Sequence, residues 1–415
     1  MKKALLMLLF ACVLVSCFKD SDDELITQCS VPTNIQFDTT THESVVITWE
    51  DSNVSATYTV EYGLSGFILG EGTSIAATET TVTLTGLLAN TSYDVYVQST
   101  CPDNESMPSD VTSFTTLAPL VVPQFLTNLS DLNLFSGDLA DLSPSIYTFE
   151  YDLNTPLFTD YAHKQRLIAL PPGTTMEHVD NGLPNFPDNT VIAKTFYYFN
   201  DERDESLGTK IIETRLLIKQ SGEWQLGNYK WNDAQTEAVL DATSTTVPVT
   251  FINDTGETNN INYKIPSATD CFTCHSNSTQ VVPIGPKLRS MNMNNQLQDL
   301  IDLNMFSNLT DASGISTLPN WEDDLTYTLE ERARAYFDVN CAHCHSPGGN
   351  CYPTSNLDFR FETRFSDTNI DVHAASIQAR TQSVPLIPGY SMPLIGTSIM
   401  HPEGFAVIDA YIDSL

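Results

Sequence analysis

Two short stretches of the chain carry residues whose types and spacing could do chemistry. TDCFTCHSNS places Cys271 and Cys274 three apart with His275 next, and NCAHCHSPGG repeats the pattern with Cys341, Cys344 and His345. Two thiols at this spacing on a helical turn can reach both vinyl groups of a haem and form thioethers. The histidine that follows then comes under the iron as an axial ligand. With nine cysteines and eight histidines in 415 residues, chance would give about 0.004 such matches. Two other chemistries use CxxC pairs. Zinc needs four ligands and could draw two from each motif. Thiol redox would set the pair at the end of a strand in a βαβ unit, and the sequence shows no such unit. A histidine directly after each pair favours haem. The expectation is two covalently bound haem c groups, attached at Cys271, Cys274, Cys341 and Cys344, with His275 and His345 on the irons.

The elements that must hold these motifs are readable nearby. TLEERARAYFDVN begins with Thr328 and has Glu331 three residues on, a capping box that satisfies the orphan N–H groups of a helix start. This predicted helix runs straight into NCAHCH. HPEGFAVIDAYIDSL spaces Phe405, Ile408, Ile412 and Leu415 as a closing amphipathic helix, and NNQLQDLIDLNMF puts Leu297, Leu300, Ile301 and Leu303 on one face. SMPLIG, at 391–396, resembles the methionine loop of class I cytochromes c, and its place in the order of helix, CxxCH, loop and closing helix is the right one. That resemblance makes Met392 the second axial ligand of the second haem, with Met400 as its competitor; either methionine could instead be a core residue. For the first haem the choice stays open among Met291, Met293, His163, His373 and no sixth ligand. Met291 and Met293 lie only 16 and 18 residues past His275, a short excursion for a haem fold.

Upstream the chain reads as β structure. Residues 29–117 alternate Val45, Ile47 and Trp49 in SVVITWE and continue through YTVEYG, TTVTLTGLL and YDVYVQST, the rhythm of a small antiparallel sandwich. At Trp49, Tyr58, Leu87, Tyr93 and the closing SFTTL this segment resembles a fibronectin type III domain. The resemblance implies a spacer or adhesion module without catalysis, with Leu87 and Tyr93 forming a tyrosine corner. Cys29 and Cys101 bracket it and are expected to pair as a disulfide or to stay as two buried thiols. LAPLVVP is a linker. Residues 126–265 are mostly β, with TVIAKTFYYF, IIETRLLIK and WQLGNYKW as strands and a turn at Ser221-Gly222. The fold class expected is multidomain. It comprises the fibronectin-like β-sandwich, a mostly-β domain over 126–265, a first haem-binding segment over 266–320 and a mainly α, cytochrome c-like domain over 325–415.

The first residues, MKKALLMLLFACVLVSC, join a basic start to a short apolar run, the pattern of a signal peptide over 1–16. LVSC resembles a bacterial lipobox, which makes Cys17 the lipidated N-terminus. The acidic stretch 17–28 then reads either as a solvated tether or as a surface-export signal. The formal net charge of −33 excludes nucleic acid as a partner, because phosphate binding needs clustered Lys and Arg. The charge serves solubility or steers in a basic partner. Cys351 is left without a role.

From about 130 to the end, the series YTFEYDLNTPLFTDYAHKQRLIALPPG, ETRLLIKQSGEW, YKWNDAQTEA, IPSATDCFTCH, IGPKLRSMNMNNQL, NCAHCHSPGG and MPLIG resembles a family of exported diheme c-type cytochromes with a β-rich N-terminal part. The resemblance implies haem and export and names no substrate. The function expected is a membrane-anchored, extracytoplasmic diheme cytochrome that carries single electrons between redox partner proteins. The alternative is a diheme peroxidase-like oxidoreductase with one open haem. A third reading makes the β regions a binding module and the haems accessory. If Cys17 carries the lipid, Cys17→Ser moves the protein from the membrane fraction to the soluble fraction. Retention of the variant in membranes would remove the lipoprotein reading.

Overall fold

A computed structural model describes residues 29–382 and 386–415. The leader, Cys17 and the acidic tether lie outside the described residues. The chain divides into two compact units, 1–119 and 120–415.

In the first unit seven strands form two antiparallel sheets. They are β1 (Thr33–Thr40), β2 (Ser44–Glu50), β3 (Thr57–Leu64), β4 (Thr73–Ala77), β5 (Thr81–Thr85), β6 (Ser92–Thr100) and β7 (Thr112–Thr115). One sheet has the order β1-β2-β5 and the other β4-β3-β6-β7. Strand alternation turns Val45, Ile47 and Trp49 inward against Tyr58, Val60, Tyr93, Val95 and Val97. The Leu88 N–H donates to the Tyr93 hydroxyl at 2.9 Å, closing a tyrosine corner. Cys29 and Cys101 are joined as a disulfide, with their Cα atoms 5.9 Å apart.

In the second unit β8 (Phe149–Glu150), β9 (His163–Ala169), β10 (Val191–Phe199), β11 (Thr209–Gln220), β12 (Glu223–Trp231) and β13 (Ala238–Leu240) form one antiparallel meander in chain order. The turn between β11 and β12 has φ of +53° at Ser221 and +83° at Gly222, the left-handed pair that a two-residue hairpin of right-twisted strands requires. Alternation gives this sheet two different faces. Leu167, Ala169, Val191, Ala193, Leu216 and Ile218 pack on the segment that carries Leu129, Leu132 and Leu134. Ile168, Ile192 and Leu217 face Leu288, Met291, Leu297, Leu300 and Ile301 from the helical half of the unit. A hairpin of β14 (Thr245–Ile252) and β15 (Thr258–Ile265) packs on Phe196 and Tyr198.

The helical half comprises α1 (Ala268–His275), a tight hairpin of β16 (Ser276–Asn277) and β17 (Gln280–Val281), α2 (Leu288–Met291), α3 (Gln296–Asp302), α4 (Leu329–Asn340), α5 (Tyr352–Ser355), α6 (Phe365–Thr368), α7 (Ile370–Thr381) and α8 (Pro402–Asp413). Leu297, Leu300 and Ile301 are buried, whereas Leu303 ends α3 pointing into solvent. Phe405, Ile408 and Ile412 are buried, whereas Leu415 stands beyond the end of α8 and is exposed. Both expected helices therefore form, each one residue shorter on its apolar face than the periodicity implies. Among the described residues no helix is long and apolar enough to cross a membrane.

Two contacts fix this half. A Cβ on Gly404 would stand 2.2 Å from the Tyr336 ring, so α8 crosses α4 where only glycine fits. That ring cannot retreat, because it is buried and its hydroxyl is hydrogen-bonded to His401 Nδ1 at 2.8 Å. On the opposite side of α4, the fully buried Asp338 carboxylate accepts from Lys287 at 2.8 Å, from Arg289 at 3.0 Å and from the Phe361 N–H at 3.1 Å. Burial alone would raise the Asp338 pKa, but Lys287 and Arg289 hold it below the ordinary carboxylate value. Gly404→Ala is expected to cost about 1–3 kcal/mol of unfolding free energy through overpacking, read from the denaturant midpoint. Asp338→Asn takes the buried carboxylate from Lys287 and leaves Arg289 only its pair with Glu362, and is expected to cost up to about 3 kcal/mol at neutral pH. A depressed folded pKa gives stability that is present above the unfolded value and lost as pH falls through the folded one. The gap between wild type and Asp338→Asn should therefore narrow in acid, below about pH 4.

Candidate haem centres

Both CxxCH motifs end or follow a capped helix. The Ser267 hydroxyl accepts from the Asp270 N–H at 3.2 Å, and the Asp270 carboxylate accepts from the Ser267 N–H at 3.0 Å, capping α1. Thr328 and Glu331 do the same for α4, at 3.3 and 2.9 Å. After α4 the chain makes one more turn, with the Cys344 and His345 N–H groups donating to the Cys341 carbonyl at 3.1 and 2.9 Å. Gly349 lies against that turn. A Cβ there would meet the Cys344 carbonyl oxygen at 2.5 Å, so only glycine lets the chain pass. The two motifs are also clasped to each other. Asn277 is bridged to Gly349, and the Ser278 N–H donates to the Gly348 carbonyl at 2.8 Å.

The tautomers of the two motif histidines are fixed by their partners. His275 Nδ1 lies 2.8 Å from the Val282 carbonyl, which can only accept, so Nδ1 carries the proton. His345 Nδ1 lies 3.0 Å from the Ser355 hydroxyl. That hydroxyl gives its own hydrogen to the Cys351 carbonyl at 3.0 Å, so it accepts from His345. Burial holds both rings neutral, lowering His275 to about 3 and His345 to about 4. In each, Nε2 keeps a free lone pair, the state that a metal ligand needs. His343, between the second pair of cysteines, has no hydrogen-bond partner for its buried Nδ1.

Two cavities meet here. One, of about 330 Å³, is lined by Cys341, Cys344, His345, Met392, His373 and Cys351 among others. The other, of about 80 Å³, is lined by Cys271, Cys274, His275, His343, Lys194 and Arg215 among others. The structure thus brings Met392 to the same cavity as the second motif. His373, weighed for the first haem, also lines that cavity. Met291 is a core residue packed among Leu288 and Leu297. Met293 and Met400 line neither cavity, and Met400 packs against the core around Trp321 and Tyr336. His163 lines neither as well, and its Nε2 is 2.9 Å from the Glu202 carboxylate on the sheet.

The thiols do not behave alike. Burial raises Cys271 to about 11 and Cys341 to about 12. The Cys344 thiol has one hydrogen to give and two sulfurs within reach, so hydrogen bonding to it lowers Cys274 and Cys351 in competition, while Cys344 itself is pushed up. Sγ of Cys274, Sγ of Cys344 and a ring nitrogen of His343 lie within 4.8 Å of one another, a set that could also hold a soft metal ion.

The donor set fits haem c at both motifs: two cysteines a helical turn apart, and a neutral histidine whose Nδ1 is anchored and whose Nε2 is free. Sequence reasoning did not find Lys194, Arg215 or His343 on the cavity walls. A partial signal was present, because all three central strands carry cations beside apolar residues: Lys164 and Arg166 in HKQRLIA, Lys194 in VIAKTFYYF, and Arg215 and Lys219 in TRLLIK.

Residues 30–115 match the family model described as fibronectin type III domain. Among solved structures, the chain is similar to a redesigned β-sandwich protein at 27% identity and a TM-score of 0.20, over 21% of this chain and 96% of that one. It is also similar to the fibronectin type III domain of human fibronectin type III domain containing protein 3, at 20% identity and a TM-score of 0.20, over 22% of this chain and 90% of that one. No curated protein matches the chain. By the family-model match, residues 30–115 of this multidomain, strongly β-rich chain are a fibronectin type III domain.

Proposed function

We propose that residues 120–415 carry two covalently attached haem c groups and pass single electrons between redox partner proteins outside the cytoplasm, with the lipid-modified Cys17 holding the chain to a membrane. The observation that carries this reading is the pair of anchored, neutral histidines. Each CxxCH histidine gives its Nδ1–H to an acceptor built for it and so keeps Nε2 for an iron. Cys271, Cys274 and His275 would hold one group, and Cys341, Cys344, His345 and Met392 the other. When bound, such a group supplies a one-electron couple whose potential a thioether ligand raises. The rest is the work of the chain. Helices α4 and α8 with the loop at 391–396 form a cytochrome c-like frame that keeps Met392 on the cavity wall. The clasp of Asn277 on Gly349 keeps the two motifs together. Cys274 and Cys344, one attachment sulfur from each motif, fall within 4.8 Å of each other, the closeness a relay between two centres needs.

Two observations keep a second reading in view. Among the described residues no methionine lines the cavity at the first motif, which favours an open iron and peroxidase-like chemistry there. The Cys274–His343–Cys344 cluster favours zinc if haem is never attached. One set of measurements separates them. In the matured, dithionite-reduced protein, the electron-transfer reading expects two haems per chain and a sharp c-type α-band that carbon monoxide leaves unchanged. A carbon monoxide shift in about half of the haem makes the peroxidase-like reading the better one. Stoichiometric zinc without a haem band removes both. Met392→Ala should open one haem to carbon monoxide, and a variant spectrum identical to wild type would remove Met392 as its ligand.

A further inference from the structure

The inward face of the central sheet carries a row of positive charge. In the register of β9, β10 and β11, Lys194 is directly opposite Arg166 on one side and directly opposite Arg215 on the other. Adjacent strands lie about 4.8 Å apart, so the row spans about 10 Å. Like charges directly opposite on neighbouring strands destabilise a sheet, and this row sits in a chain that has 52 acidic residues and only 19 Lys and Arg. Its protein partners neutralise it only in part, pairing two of the three cations. Arg215 pairs with the buried Glu213. Arg166 pairs with Asp152, whose side chain is mostly in solvent. Lys194 has no hydrogen bond and no ion pair among the described residues. Lys164, one row further along the same face, gives its ammonium group to the Ala162 carbonyl at 2.9 Å and has the Asp160 carboxylate nearby but no ion pair among the described residues.

The row opens onto cavity space. Lys194 and Arg215 line the small cavity at the first CxxCH motif. Lys164, Arg166 and Lys194 line an adjoining cavity of about 340 Å³, together with Lys287, Arg289 and Arg360. The acids on that wall are Asp180, Asp338 and Glu362, and two of them are already engaged, Asp338 by Lys287 and Arg289 and Glu362 by Arg289. Arg166 and Arg289 are each only 5% exposed, yet Nε of both, and of Arg215, is buried without a hydrogen-bond partner. Burial, followed by repulsion from Arg166 and Arg215, pushes Lys194 down to about 7. A buried guanidinium edge with an unused donor beside an unpaired ammonium is costly alone and strongly favourable when a carboxylate accepts from it.

We propose that the Arg166–Lys194–Arg215 row and its adjoining cavity form a binding site for carboxylate groups beside the first CxxCH motif. The carboxylates come either from the propionates of a haem attached at Cys271 and Cys274 or from a free small carboxylate that enters the cavity. The first source rests on the haem reading and the second does not.

The test uses the full matured protein, its Lys194→Met variant and a Lys194→Arg control, with haem content of each measured first. Succinate is titrated in by calorimetry, and the midpoint potentials of the haems are recorded. Saturable succinate binding that weakens by about tenfold or more in Lys194→Met and is restored in Lys194→Arg supports a free-carboxylate site. No succinate binding, with one midpoint potential lowered in Lys194→Met, supports propionates as the occupant, because loss of a nearby cation disfavours the reduced state. Neither effect, in variants with wild-type haem content, overturns the proposal. Protein with no haem at all counts against the haem reading, and in that protein the absence of succinate binding overturns the carboxylate site as well.

Discussion

The architecture of the second unit depends on one buried carboxylate. Asp338 sits near the end of α4, with its side chain removed from water, and holds Lys287 and Arg289 from the segment after the first CxxCH motif. It also takes the Phe361 N–H from the chain after the second motif. An ion set of this kind is strongly stabilising only relative to its broken forms, because the desolvation of each charge is already spent. Its effect is therefore positional. If Lys287 and Arg289 left Asp338, its carboxylate would be buried and unpaired and Arg289 would keep only the half-exposed Glu362, so the segments of the two motifs are held in one arrangement. The Asn277–Gly349 bridge and the glycine passage under Cys344 then work on segments that Asp338 has already aligned.

The same economy of positive charge explains the sheet. The chain places a large share of its few cations on one inward face and around one cavity. Were they there only for folding, apolar residues at Lys164 and Lys194 would serve better, since neighbouring positions on the same face, Ile168, Ile192 and Leu217, pack well against α2 and α3. Charge kept at such a place costs stability and makes sense where something negative occupies the space beside it. The acidic outer surface and the basic interior are two separate features, and the net charge of −33 conceals the second.

Much of this was legible in the sequence. Alternation announced the sandwich strands and the β11–β12 hairpin, because each strand has one buried and one different face and the turn needs residues that tolerate positive φ. The Thr328–Glu331 cap and the apolar spacing of α8 depend on contacts three and four residues apart, which a sequence displays directly. The capping box of Ser267 and Asp270 stood in IPSATD and is of the same local kind. What could not be read was long-range register. Lys194 interrupts an apolar strand, Arg166 and Arg215 stand among other polar residues of theirs, and only cross-strand pairing puts the three in a row. The meeting of Cys274 with Cys344 and His343 likewise depends on the clasp between segments about 70 residues apart, and no spacing rule reports it.

That meeting sharpens the choice between haem and zinc. Both would use the sulfur of Cys274 and of Cys344, and they need it in different states. Zinc takes thiolates, and the hydrogen bond between the two thiols lowers Cys274 while it raises Cys344, so only one of the two sulfurs is poised to supply one. Thioether formation removes the charge and leaves only a weak donor, so a chain that has received haem no longer has the zinc site. The histidines divide in the same way. His343, the member of the thiol cluster, has a buried Nδ1 with no partner, whereas His275 and His345, which the cluster does not use, are the two whose rings are anchored through Nδ1. A free ring nitrogen is what a metal site presents to its ion, so His343 remains compatible with zinc. The fold does spend anchoring hydrogen bonds on the two histidines that follow CxxC, and that distribution is what the proposal of haem at both motifs rests on.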